Sequence, residues 1–308
     1  MDDLEIRVAA FAHLTKITRE QGEVLKWAHL SQPFVVGEEK VLLANRARGI
    51  FKPRQMKRGV LSIKTTIPRT GRDVRYEDLA VGENDGVFHY RFQGTSPENR
   101  DNIGLREAFE DGTPIIYLFG LQETYYQALW PVFISSWNPQ TLAVEVSVQD
   151  RTNIYGIKPS EVLPVVRSPI ERAYSTVMAK QRLHQSAFRL QVLDAYQHRC
   201  SVCGFPRDEI LDAAHILPDH DERGRPEVSN GLCLCRLHHG AYDTDLMGIR
   251  PDGVIELSKA LLETRDGPTL EYGLIGFSGK SIKQPSSQED RPSKIFLEER
   301  FTRFKKAA

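Results

Sequence analysis

"RCSVCGFPRDEILDAAHI", residues 199–216, sets Cys200 and Cys203 three positions apart and places His215 twelve positions after the second. That cysteine spacing makes a tight knuckle turn, which aims two thiolates at one ion. A second half follows in "NGLCLCRLHHGAYD", residues 230–243, where Cys235 and His238 repeat the two-residue gap. Two ligand sets are open: Cys200, Cys203, Cys235 and His238, or four cysteines with Cys233 in place of His238. Cys233 lies two residues before Cys235 on an apolar run, where a small buried residue is the ordinary reading, so the set with His238 is favoured. In either set the ion, Zn²⁺, is structural, because a small loop-rich module lacks the core to fold without it.

His215, Asn230, His239 and Asp243 are left without a structural duty. "LDAAHIL" has the character of a strand carrying His215. His239 and Asp243 are four apart in a helical stretch and so share one face, where they can share a divalent cation. The order of these elements behind the knuckle resembles the HNH nucleases, whose ββα-metal fold presents a strand histidine, a loop asparagine and a helix with H-x-x-x-D/H. The match runs from about residue 180 to 258. The resemblance implies His215 as the general base, His239 and Asp243 as ligands of Mg²⁺ or Mn²⁺, and Asn230 as a brace for the loop or for the His215 ring. Many members carry Asp or His directly before the base, where this chain has Ala214; Asp212 is the candidate for a third ligand.

The remaining composition sets the frame. In 308 residues, 41 Lys+Arg balance 41 Asp+Glu, a length that suits two domains each with its own core. All four cysteines fall between positions 200 and 235, which fits one local metal site in a reduced compartment better than a disulfide framework. No apolar run has the length of a spanning helix, and "MDDLEIRVAAF" lacks a basic segment followed by an apolar one. A cytoplasmic protein with no membrane partner is expected.

The neutral total conceals an asymmetry. Residues 46–75 carry ten Arg/Lys against Asp73 alone, a local charge of +9, whereas residues 76–123 carry ten acids against three arginines. The basic block, with Arg54, Lys57 and Arg58 at its centre, is the footprint of a phosphate-binding surface; the rival reading is a solvated face paired with the acidic stretch that follows.

Helical periodicity over residues 5–30 predicts one or two opening helices. From 33 to about 150 the pattern is mainly strands, at 60–67, 87–93, 114–119, 128–134 and 142–148, interrupted by a short helix ending at Gly112. Their β-branched and aromatic content predicts a curved sheet or barrel. A long helix over 170–199 precedes the cysteines, "GIRPDGVIELS" is a strand pair around an Asp-Gly turn, and "IFLEERFTRF" can close the chain as a helix. The polar, Pro/Ser-rich stretch 278–294 predicts a flexible segment.

Within the first half, an ordered set of residues resembles the SRA domains, which read modified cytosine by flipping it from duplex DNA. The set comprises Tyr76-Glu-Asp78, Asp85-Gly86 before an aromatic strand reaching Tyr90, Gly94, Asn102-x-x-Leu105, Gly112-x-Pro114 and Tyr126 through Val132. The family's Tyr-Asp-Gly signature is Tyr126-Gln-Ala here. The resemblance implies stacking by Tyr76 and Tyr90 and acceptance from cytosine N4 by Asp78, with Asp85 as a second candidate.

The expected fold class is α+β: a curved SRA-like sheet or barrel followed by a zinc-stapled ββα-metal module. The expected divisions are 1–165, 166–277 and a tail at 278–308. The leading function is a modification-dependent restriction endonuclease acting on double-stranded DNA. Its rivals are an HNH nuclease that reads plain DNA or another modification, and a non-catalytic zinc-containing DNA-binding protein. One such site cuts one strand at a time, so a homodimer is the simpler route to a double-strand break.

Overall fold

The computed structural model describes residues 2–65, 86–149, 169–219, 221, 223–264 and 267–307. The chain divides into two compact units, Met1–Leu183 and His184–Ala308.

The first unit opens with helix α1 (Asp3–Gln21), which buries Ile6, Ala10, Phe11 and Leu14 along one stripe, the i, i+4 face of an amphipathic helix. Strand β1 (Val24–Lys26) and the single turn α2 (Trp27–Leu30) follow. The helical pattern over 5–30 concealed β1, because three residues are too few to show a period of two. A small hairpin, β2 (Phe34–Val36) with β3 (Glu39–Val41), leads to β4 (Ile50–Phe51) and β5 (Ser62–Lys64). Beyond these lie β6 (Phe88–Arg91), helix α3 (Arg100–Glu110), β7 (Ile115–Gln122), β8 (Tyr125–Asn138) and β9 (Ala143–Val148).

Among the described residues seven of these strands, all but β2 and β3, form one sheet in the order β4-β5-β7-β8-β9-β6, with β1 joining β8. Of its described pairs, β5 and β7 run parallel (Ser62 opposite Ile116) and the others antiparallel. Register shifts interrupt β7/β8 near Ile115 and Gly120 and β8/β9 near Ile134. Each shift bends its strand and adds twist, which is why the sheet curls into a half-barrel. β7 is buried from Ile115 to Leu121, so it reads as a continuous apolar run without alternation. Arg7 is a buried charge on α1 whose Nη1 donates to Val60 O and Pro114 O, both at 2.7 Å; burial lowers its pKa to about 10.

Helix α4 (Pro169–Ala195) carries the chain into the second unit. There, β10 (Leu211–His215) pairs antiparallel with β11 (Gly231–Cys235), and α5 (Arg236–Asp243) begins at once. The strand pair expected around Asp252-Gly253 is β12 (Met247–Ile249) with β13 (Ile255–Leu257). Short helices α6 (Lys259–Glu263) and α7 (Gly267–Gly273) precede α8 (Lys294–Ala307). The core joins Phe188, Val192 and Tyr196 of α4 to Leu211, Leu232, Tyr242, Met247 and Leu297.

The stretch expected to be flexible is packed instead. Its backbone finds partners along its length: Ile255 N donates to Lys280 O, Ile282 N to Gly253 O, Lys283 N to Ser201 O and Ser293 N to Ser229 O, at 2.7–2.9 Å. Ile282 is buried, and so are Leu297, Arg300 and Phe304 of α8. Composition registers polar side chains and misses backbone pairing of this kind. No helix among the described residues is long and apolar enough to cross a membrane.

Candidate metal centre and active site

The knuckle is a tight turn closed by Gly204 N donating to Cys200 O at 2.8 Å, with Gly204 at φ +74° in the left-handed region that suits glycine. It faces the start of α5, where Cys235 is the residue before the helix and His238 lies in its first turn. One donor atom from each of Cys200, Cys203, Cys235 and His238 lies within 4.8 Å of the others. The Cys203–Cys235 sulfurs are 3.9 Å apart, and His238 Nδ1 lies 3.1 Å from Cys235 Sγ and 3.5 Å from Cys200 Sγ. Zinc bond lengths give a tetrahedron with ligand–ligand edges of about 3.5–3.8 Å, so this donor set fits such an ion. His238 Nε2 bonds Gly273 O at 2.8 Å, and an N–H there leaves Nδ1 free to bind metal.

The electrostatics of the cluster suit cation binding. Burial depresses the His238 pKa, but the Cys200 and Cys235 sulfurs outweigh it and raise the value to about 9. The Cys203 and Cys235 sulfurs draw the Cys200 thiol far below its ordinary value. Cys233 stands outside the set: it is buried in the apolar core, and burial pushes its thiol up to about 12.

A second cluster spans β10 and α5. His215 ends β10 opposite Gly231, and its ring stacks on Phe188 of α4 at 4.1 Å and 22°. His215 Nε2 is buried and has no hydrogen-bond partner among the described residues. Burial lowers the His215 pKa; Asp219 and Asp243 act in the opposite sense, and His239 adds to the lowering. His239 Nε2 lies 3.2 Å from Asp243 Oδ2, and Nδ1 lies 3.5 Å from Asp212 Oδ2. The Asp212 contact comes first in raising the His239 pKa, and His239 in turn holds Asp212 below the usual carboxylate value.

Asn230 is buried and clamps the loop between β10 and β11. Its Oδ1 accepts from Leu217 N at 2.9 Å, and its Nδ2 donates to Leu217 O and Arg225 O at 3.1 Å. Of the two duties expected for Asn230, these bonds serve the loop. Residues 200–250 match the HNH endonuclease family model. This segment is an HNH endonuclease module. The match supports a metal-dependent nuclease.

No curated protein matches the chain. A solved structure titled "Modification dependent TagI restriction endonuclease" is 17% identical to it, covering 80% of this chain and 82% of that one with a TM-score of 0.31.

The HNH module draws on residues outside the matched segment that the sequence pattern did not flag. Besides Phe188 and Gly273, Arg189 Nη2 donates to Asp208 O at 2.6 Å and Leu211 O at 3.0 Å, and its Nε lies 3.8 Å from Asp212 Oδ1. In the sequence, Phe188 was one more apolar residue of helical period.

In the first unit, Tyr76, Asp78 and Asp85 lie outside the described residues. Tyr90 lies on β6 with its ring edge-on to Tyr117 at 5.9 Å and its hydroxyl donating to Lys64 O at 3.3 Å. Burial raises its pKa, and a Cβ at Gly49 would stand 2.8 Å from its hydroxyl. Arg58 pairs with Asp111 at 2.7 Å, Glu110 at 3.1 Å and Glu107 at 3.7 Å, the acidic partners anticipated by the solvated-face reading. Arg54 and Lys57 are exposed.

Proposed function

We propose that the chain is a modification-dependent endonuclease of double-stranded DNA, in which the first unit reads modified cytosine and the HNH module cuts. The observation that carries the nuclease chemistry is the half-buried His215, whose pKa burial lowers, beside His239 and Asp243. A neutral imidazole is fitted to take a proton from the attacking water. Asn230 keeps the loop after His215 in place. His239 Nε2 and Asp243 are the donors for Mg²⁺ or Mn²⁺, which supplies charge stabilisation at the phosphate and the leaving 3′ oxygen. Asp212 approaches the other ring nitrogen and therefore acts as the acceptor that orients His239, in place of the third ligand expected from its position. Cys200, Cys203, Cys235 and His238 hold structural Zn²⁺, since three thiolates with one imidazole are a donor set suited to that ion.

The reading of modified cytosine rests on the ordered SRA-like residues between 76 and 132 and on the curled sheet that carries the later ones. Tyr76, Asp78 and Tyr90 are the proposed base pocket, and Arg54 and Lys57 the proposed contacts to phosphate; Arg58, already paired with acids, is withdrawn from that set. Two protomers, one for each strand, complete a double-strand cut. The test is digestion of matched plasmids carrying cytosine, 5-methylcytosine or 5-hydroxymethylcytosine. Cutting confined to a modified plasmid supports the reading, and equal cutting of all three leaves a plain HNH nuclease.

A further inference from the structure

We infer that Phe188, on the helix preceding the HNH module, is a positioning residue that fixes the plane of the His215 imidazole. The inference rests on His215 being the general base. The two rings lie 4.1 Å apart and 22° from parallel, an offset-stacking distance at which one face of the imidazole is covered. Phe188 itself is 1% exposed and is held within the core by Val192, Leu193 and Leu232. It is therefore a fixed wall with little freedom of its own.

Three further features fit this duty. Gly231, the register partner of His215, leaves room for the wall: a Cβ there would lie 3.0 Å from Phe188 Cζ and 2.5 Å from Val192 Cγ2. Among the described residues His215 Nε2 has no hydrogen-bond partner that could set the ring's rotation, which leaves the stack as a constraint there. Arg189, the next residue of the helix, donates to Leu211 O at the start of the same strand. Neighbouring residues of α4 thus fasten both ends of β10.

Burial of the ring, to which Phe188 contributes one wall, disfavours its protonated form. The charged and titratable groups that act on His215 are Asp219 in the following loop and His239 and Asp243 on α5; Phe188 contributes no charge. Removing the aromatic face lets water reach the ring, which moves its pKa back up towards 6.5. A base that must be neutral then loses activity at a higher pH.

The experiment compares Phe188→Leu with wild type and with His215→Ala, using full-length protein and a cleaved duplex under single-turnover conditions across pH. Phe188→Leu keeps an apolar side chain there but is smaller, so it removes the flat face and opens the ring to water. The expected result is a rate lowered roughly 10- to 100-fold, as misplacing a reacting group does, with unchanged DNA affinity and an acid limb displaced to higher pH. A wild-type rate and profile, or a slowed rate with an unmoved acid limb, overturns the inference. If His215→Ala cuts like wild type, the general-base reading fails, and with it the premise. A dead His215→Ala beside an unaltered Phe188→Leu overturns the positioning role alone. Should Phe188→Leu fail to fold, the wild-type proton spectrum decides. His215 ring protons, assigned by their loss in His215→Ala, are expected upfield of the other histidines because of the aromatic ring above them, and unshifted resonances overturn the stack.

Discussion

Asp212 Oδ2 lies 3.5 Å from His239 Nδ1, on the opposite side of the ring from Asp243, whose Oδ2 lies 3.2 Å from Nε2. The two carboxylates therefore cannot share one ion with one ring nitrogen, and they divide into an orienter and a ligand. Asp212→Ala is expected to weaken Mn²⁺ binding roughly 10- to 100-fold, the range for losing the outer partner of a metal-bound histidine. Titration calorimetry with Mn²⁺ measures this directly. Asp243→Ala removes a ligand and should abolish Mn²⁺ binding at this site, so equal effects from both variants would reject the division.

His215→Ala should lower cleavage roughly 10²- to 10⁴-fold, the contribution of a positioned general base, with zinc content and DNA affinity unchanged. The wild-type rate should fall as pH drops through the His215 pKa. Because burial lowers that pKa, the acid limb belongs below the ordinary imidazole value of 6.5. An acid limb above 6.5 in a pH–rate profile would contradict the burial of this ring.

One zinc per chain should be measurable by elemental analysis of purified protein. Cys200→Ser or Cys235→Ser is expected to give unfolded or insoluble protein, since the ion's binding energy is part of the folding energy. Cys233→Ser is expected to retain the metal and to lose stability only through the polar atom placed in an apolar core. Retention of the metal by Cys235→Ser together with its loss from Cys233→Ser would restore the four-cysteine set.

The basic block can be dissected by charge. Neutralising Arg54 and Lys57 should flatten the dependence of DNA affinity on salt by up to about 0.9 per lost phosphate contact. Neutralising Arg58 should leave that slope unaltered, because its guanidinium is held by Glu107, Glu110 and Asp111. A slope that responds to Arg58 and ignores the other two would reverse the assignment.

The cysteine and histidine spacing made the second unit legible because the candidate ligands come in short fixed intervals: Cys200 with Cys203, Cys235 with His238, and His239 with Asp243 meet in space much as they meet in sequence. Long-range partners left no such trace. Gly273 supports His238 from 35 residues away, and Phe188 covers His215 from 27, yet in sequence one is a glycine and the other an apolar helix residue. The strands at 115–122 and 143–148 were visible through their β-branched content, whereas β1, three residues long, was not. For Arg58, composition recorded the charge but not which acids it meets, Glu107, Glu110 and Asp111. The polar stretch after residue 278 misled for a similar reason: its order comes from backbone hydrogen bonds, to which side-chain character is blind.

The clasp formed by the last thirty residues bears on any attempt to transplant the nuclease. Gly248 has no side chain, and a Cβ there would stand 2.4 Å from Phe304, so β12 and α8 are shaped to each other. Arg300 of that helix bonds Asp245 and the Tyr242 carbonyl at the end of α5, the helix that bears His239 and Asp243. A fragment cut to the family boundaries at 200 and 250 would lose this clasp as well as Phe188 and Gly273. The portable cassette for fusing to a new targeting domain is the whole of residues 184–308, and a graft trimmed closer than that should arrive as an unstable piece of protein with its chemistry adrift.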